Sequence, residues 1–138
     1  MTPNDLCSED EIAAMVHAFY GKVRQDAVLG PVFNAHVADW DHHLGKMVDF
    51  WSGMMRGTGR YRGTPMPKHV ALPGLNADMF RHWLALFHET TLELGNEAMR
   101  ARANDLAHRI AQSLWYGYQL NNNPDAIPGD IPAASTPT

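Results

Sequence analysis

Pro65-Met66-Pro67-Lys68-His69-Val70-Ala71-Leu72-Pro73-Gly74 sets a single histidine among three prolines, with a glycine closing the segment. Proline lacks an N–H and fixes φ, so it is a poor residue inside a helix. It also drives the residue before it toward extended backbone. Yet the sequence on either side reads as long helices. A stiffened stretch with one histidine between two helices is either a loop of no consequence or a preorganised ligand arm. The second choice has a physical rationale, because an arm already restrained loses less entropy when it forms a bond.

Outward from this stretch the pattern is all-α. Ser8-Glu9-Asp10-Glu11 has the form of a capping box, with Ser8 as cap and Glu11 three residues on. Ile12, Met15, Val16, Phe19 and Val23 then recur at helical spacing, which predicts a first helix over 9–27, ending before Gly30-Pro31. Residues 31–39 read as irregular or as a short helical turn. Asp39 or Asp41 caps a second helix whose expected buried stripe is Trp40, Leu44, Met47, Trp51, Met54 and Met55, and which stops near Gly57. Asn76 caps a third helix with Phe80, Trp83, Phe87, Thr90 or Thr91, and Leu94 on one face; Gly95 ends it. A fourth runs from Asn96 through Met99, Ala103, Leu106, Ile110 and Leu114 to about Asn121. The expected organisation is one domain over 1–120 and a disordered, proline-rich tail over 121–138.

Composition narrows the function classes. The 138 residues suit one domain, and 45% apolar content suffices for a core. A net charge of −4 argues against broad nucleic-acid binding, despite a local basic cluster at Arg56, Arg60, Arg62 and Lys68. No apolar run is long enough to span a membrane, and the first ten residues lack the features of a secretory signal, so a cytoplasmic location is expected. One cysteine, Cys7, excludes an internal disulfide and reads as a free surface thiol. The glycines of GTGRYRG do not fit a dinucleotide fingerprint, and there is no P-loop, zinc-protease motif or nucleophile elbow. Eight histidines, eight methionines and four tryptophans remain. These residue types suit metal ligation and the walls of a flat apolar ligand.

Among the histidines, His43 falls within the stripe of the second helix, where it is either a satisfied core residue or a group facing a ligand. His42, beside it, points elsewhere. His82, His88 and His108 read as ordinary histidines on solvated helix faces. His43 and His69 stand on either side of a helical return, which can bring them to opposite faces of a flat ligand: one on a metal, the other a polar group across from it. Tyr20 and Trp83 border apolar stripes, and each carries a donor that needs a partner if buried.

Four stretches in order, FYGKVRQDAVLGPVFN (19–34), WDHHLGKMVDFWSGMM (40–55), PKHVALPG (67–74) and FRHWLALFHE (80–89), give the chain a family likeness. It resembles the truncated haemoglobins, most closely their third group, over about residues 8 to 120. The resemblance implies a two-over-two helical sandwich around haem b. It implies His69 as proximal iron ligand, Tyr20 and His43 as distal groups, and Trp83 as a further distal donor. Phe33, Met47, Phe50 and Leu72 are implied as haem contacts, Trp51 as a distal-wall or neighbouring core residue, and Lys46, Tyr61 and Lys68 as residues near the propionates. The paired-glycine motifs of the first two groups are missing or altered, and only GTG follows the second helix.

The implied function is binding of dioxygen, nitric oxide or carbon monoxide at a five-coordinate iron. A polar distal pocket points toward nitric oxide dioxygenation or peroxide handling, supported by an unidentified reductase, rather than bulk oxygen transport. Two other classes stay open: a haem-based sensor acting through a partner, and a non-haem helical module holding a metal by histidines.

Overall fold

A computed structural model describes residues 7–59, 75–122, 125, 127–129 and 131. It contains five helices among these residues: α1 (Glu9–Gln25), α2 (Gly30–His36), α3 (Trp40–Arg56), α4 (Ala77–Leu92) and α5 (Glu97–Asn122). No helix among them is long and apolar enough to cross a membrane.

The ends of these helices follow from local chemistry. Ser8 and Glu11 form both bonds of the expected capping box. Asp39, not Asp41, caps α3, accepting the His42 N–H, and Gly57 ends that helix at φ 71°, a left-handed conformation that glycine adopts without strain. Asn76 accepts the Met79 N–H at the start of α4. The stretch 31–39, expected as irregular or a short helical turn, is largely α2. Proline at its second position needs no donor there. The Asp26 carboxylate takes the Val28 and Leu29 N–H groups just upstream at 2.8 and 2.9 Å. Gly30 itself is required by close approach, since a Cβ there would lie 2.8 Å from the Arg24 carbonyl oxygen.

α1 packs on α3 and on α4, and α4 packs on α5. The two pairs, α1–α3 and α4–α5, make the two-over-two arrangement. Ile12, Met15, Val16, Phe19 and Val23 fill its centre from α1, with Phe87, Met99, Ala103 and Ala107 from the second pair. Phe87 stacks on Trp51 at 5.1 Å and on Trp83 at 5.7 Å, and meets the edge of Phe19 at 5.1 Å. A smaller cluster of Phe80, Ala111, Leu114 and Ile131 continues the core at the far end.

Several side chains depart from the sequence expectation. Cys7 is buried at 4% exposure, not a surface thiol, and burial raises its pKa, with a further push from Glu11. Met54 is 38% exposed, because α3 turns Ser52 and Met55 inward at its C-terminal end. Arg56 pairs with Glu9 across the α1–α3 interface, while Arg60, Arg62 and Lys68 of the expected basic cluster lie outside the described residues. His82 is not simply solvated: a ring nitrogen lies 2.6 Å from an Asp26 oxygen, tying α4 to the corner between α1 and α2.

Candidate functional site

α3 changes character along its length. Trp51, Ser52 and Met55 in its second half are buried. Trp40, His43, Leu44, Met47 and Phe50 in its first half are only partly covered, although they carry the same apolar periodicity. Most of that uncovered stripe faces a cleft. α1 gives Tyr20 to its wall; the α2 region gives Leu29, Val32 and Phe33; α3 gives His43, Lys46, Met47, Phe50 and Trp51. Opposite stand Leu75, Met79, Phe80 and Trp83, with Ile110, Ala111 and Leu114 from α5. The cleft encloses about 1150 Å³ of atom-free space, counting the part open to solvent. Apolar cavities of this kind are the usual form of ligand sites.

Aromatic edges fix the orientation of its polar members. Tyr20 meets His43 edge to face at 5.4 Å and Phe33 at 6.0 Å. Trp40 closes over His43 at 5.5 Å. Trp40 is held in turn by an N–H bond to Asn34 Oδ1 at 3.2 Å and by the Arg24 guanidinium 4.7 Å above its ring. Trp83 is fixed between the edge of Phe19 and the face of Phe87.

Tyr20 is 5% exposed, and burial pushes its phenol well above the ordinary range, so the hydroxyl keeps its proton and is available as a donor. Among the described residues neither that hydroxyl nor the Trp83 indole N–H has a hydrogen-bond partner. Lys46, at the exposed rim, has no ion pair among the described residues. An apolar slot with donors inside and a cation at its edge fits a flat apolar group that carries a small polar ligand on its face and carboxylates on its rim.

Thus Tyr20, Phe33, His43, Lys46, Met47, Phe50 and Trp83 line one cleft. Tyr61, Lys68, His69 and Leu72 lie outside the described residues. Sequence reasoning missed Leu29, Val32 and Met79 as lining residues, and took Ile110 and Leu114 for plain core. The stripe on α5 was the available signal, but periodicity does not distinguish a face turned to protein from one turned to a ligand. Among the described residues no three His, Cys, Asp or Glu side chains come together to hold a metal ion.

Comparison with known proteins agrees with the fold. The family model for bacterial-like globins matches residues 4–114. The group 3 truncated haemoglobin of Campylobacter jejuni is 37% identical over 121 residues, covering 83% of this chain and 95% of that protein. A crystal structure of the group III truncated haemoglobin from Campylobacter jejuni superposes with a TM-score of 0.74, covering 78% of this chain and 88% of that one.

Proposed function

The chain belongs to the bacterial-like globins, and among them to the group III truncated haemoglobins; from that premise we propose that its cleft holds haem b and binds dioxygen, nitric oxide and carbon monoxide. When bound, haem supplies a ferrous iron with one coordination position open to such ligands. His69 is the proposed iron ligand, on the strength of PKHVALPG and the family likeness. Phe33, Met47, Phe50 and Leu72 would pack against the macrocycle. Lys46, Tyr61 and Lys68 would meet its carboxylates.

The observation that carries this reading is the Tyr20 hydroxyl, protonated and without a partner among the described residues, at the wall of an apolar cleft. A donor aimed into such a cleft gains most when a negative partial charge arrives beside it. Tyr20 O–H and Trp83 N–H act as the leading donors, with His43 as a third. Phe19, Phe33, Phe87 and Trp40 hold these rings in place and keep water from competing. One such bond to a charged partner is worth about 1.5–3 kcal/mol, roughly ten- to a hundredfold in ligand retention. A pocket that retains dioxygen this firmly suits redox chemistry better than delivery. The proposed reactions are nitric oxide dioxygenation and peroxide handling, with an unidentified reductase returning the electrons.

Absorption spectra of the wild type and His69→Gly in ferric, ferrous and carbon monoxide-bound states test the assignment. The wild type is expected to show a haem spectrum in each state, and the variant an altered ferrous spectrum. Normal haem uptake with an unaltered ferrous spectrum in His69→Gly would remove His69 as the ligand.

A further inference from the structure

Two glutamines on one face of α5 hold backbone from beyond the helix. Gln119 takes both groups of Gly129: its Nε2 donates to the Gly129 carbonyl at 2.8 Å, and its Oε1 accepts the Gly129 N–H at 3.0 Å. Gln112, two turns earlier on the same face, accepts the Ile131 N–H at 3.1 Å. The pairing runs in reverse order, so the chain passes back along α5. Apolar packing then fixes it. Ile131 is 8% exposed and joins one buried cluster with Phe80, Ala111 and Leu114, whereas Ile127 in the same segment is 95% exposed. Phe80, Ala111 and Leu114 line the cleft, and Ile131 does not, so Ile131 packs on that wall from outside. The globin family model matches residues 4–114, so the family likeness gives this segment no role.

We propose that Gly129 and Ile131 form a strap that braces the cleft wall, with Ile131 a positioning residue for Phe80, Ala111 and Leu114. The glutamines bind backbone only, so they set where the strap lies, and Ile131 supplies the apolar contact. A wall packed on its outer side keeps its shape, because a gap there forfeits contacts and lets side chains shift. The strap therefore sets how firmly the cleft holds its flat ligand without touching that ligand. The inference rests on the reading of the cleft as a haem site, and its test separates the two.

The full chain is used throughout. In haem-free protein the Gly129 and Ile131 amides are expected to exchange hydrogen about two- to tenfold slower than in an unstructured peptide, the effect of one neutral hydrogen bond each. Peptide-rate exchange in the wild type would overturn the strap. Transfer of ferric haem from the loaded protein to excess haem-free myoglobin then reads the wall. Haem loss is expected to quicken about three- to tenfold in Ile131→Asp, a part of what one buried isoleucine is worth. The double variant Gln112→Ala, Gln119→Ala releases the strap without placing a charge in the core, and is expected to quicken loss as well. Loss is expected to hold at the wild-type rate in Ile131→Leu, which keeps the apolar bulk, and in Ile127→Asp, which puts the same charge on the exposed isoleucine. Unaltered loss in either strap-releasing variant, or equal quickening in Ile127→Asp, would overturn the bracing role and leave the haem reading standing. Absence of haem uptake by the wild type would overturn the haem reading and the bracing role with it, even where both amides are protected.

Discussion

Buried hydroxyl groups receive opposite treatment in the sealed core and in the cleft. Ser52, fully buried, bonds Glu9 and Thr58, each at 2.8 Å. Thr90 donates to the Leu86 carbonyl, and Thr91 donates to that of His88 while accepting from Asn104. Tyr20 is nearly as buried and has no partner among the described residues. α3 repeats the contrast along one helix, with its second half sealed by protein and its first half left half-covered at the cleft. The lesson is thermodynamic. These core hydroxyls are paired within the protein, whereas the cleft keeps a phenol donor in reserve.

The contrast yields graded expectations. The largest belongs to the sealed side. Phe87→Ala removes the ring on which Trp51 and Trp83 stack and should cost about 3–5 kcal/mol in urea unfolding; a much smaller loss would mean that this side is not tightly packed. On the cleft side the sign should reverse. In haem-free protein Tyr20→Phe deletes a hydroxyl without a protein partner among the described residues and should leave the fold as stable or slightly more so, by less than about 1 kcal/mol, whereas destabilisation would reveal a partner for the hydroxyl.

A loss between that at Phe87 and the small change at Tyr20 is expected at Ser52. Ser52→Ala breaks two bonds at the α1–α3 interface and should destabilise by roughly 0.5–1.5 kcal/mol per bond; no change in the unfolding midpoint would make this clasp dispensable. The smallest effect is a pH dependence at the corner between α1 and α2. Burial raises the Asp26 pKa, but the bonds from His82, Leu29 and Val28 outweigh it and hold the carboxyl below its usual range. A depressed folded pKa stabilises above the unfolded carboxylate range, and that contribution is lost as pH falls through the folded value. Asp26→Asn should therefore flatten the acid limb of the stability profile, and an unchanged limb would place the acid sensitivity elsewhere.

Much of this was legible in the sequence because local chemistry decided it. Ser8 with Glu11, Asn76 and Gly57 marked helix ends that the structure has, and the apolar period named most of the core. α2 was under-read, since Gly30-Pro31 carries the usual signs of a stop, and only the Asp26 carboxylate and the contact of Gly30 with α1 make it a start. Arg56 with Glu9, and His82 with Asp26, were illegible for a different reason: each pair joins residues 47 or 56 positions apart, and no local pattern records such partners. At the cleft, Tyr20, His43 and Trp83 could be named from the family likeness. Leu29, Val32 and Met79 could not be told from core, because burial by a ligand and burial by protein leave the same periodicity.

The central claim is that the Tyr20 hydroxyl is held in reserve for a ligand. The most direct measurement is the rate of dioxygen dissociation from the ferrous haem-loaded protein, by stopped flow, in wild type and Tyr20→Phe. The expected result is dissociation about ten- to a hundredfold faster in the variant, the value of one hydrogen bond to a charged partner. Equal rates in the two proteins would contradict it.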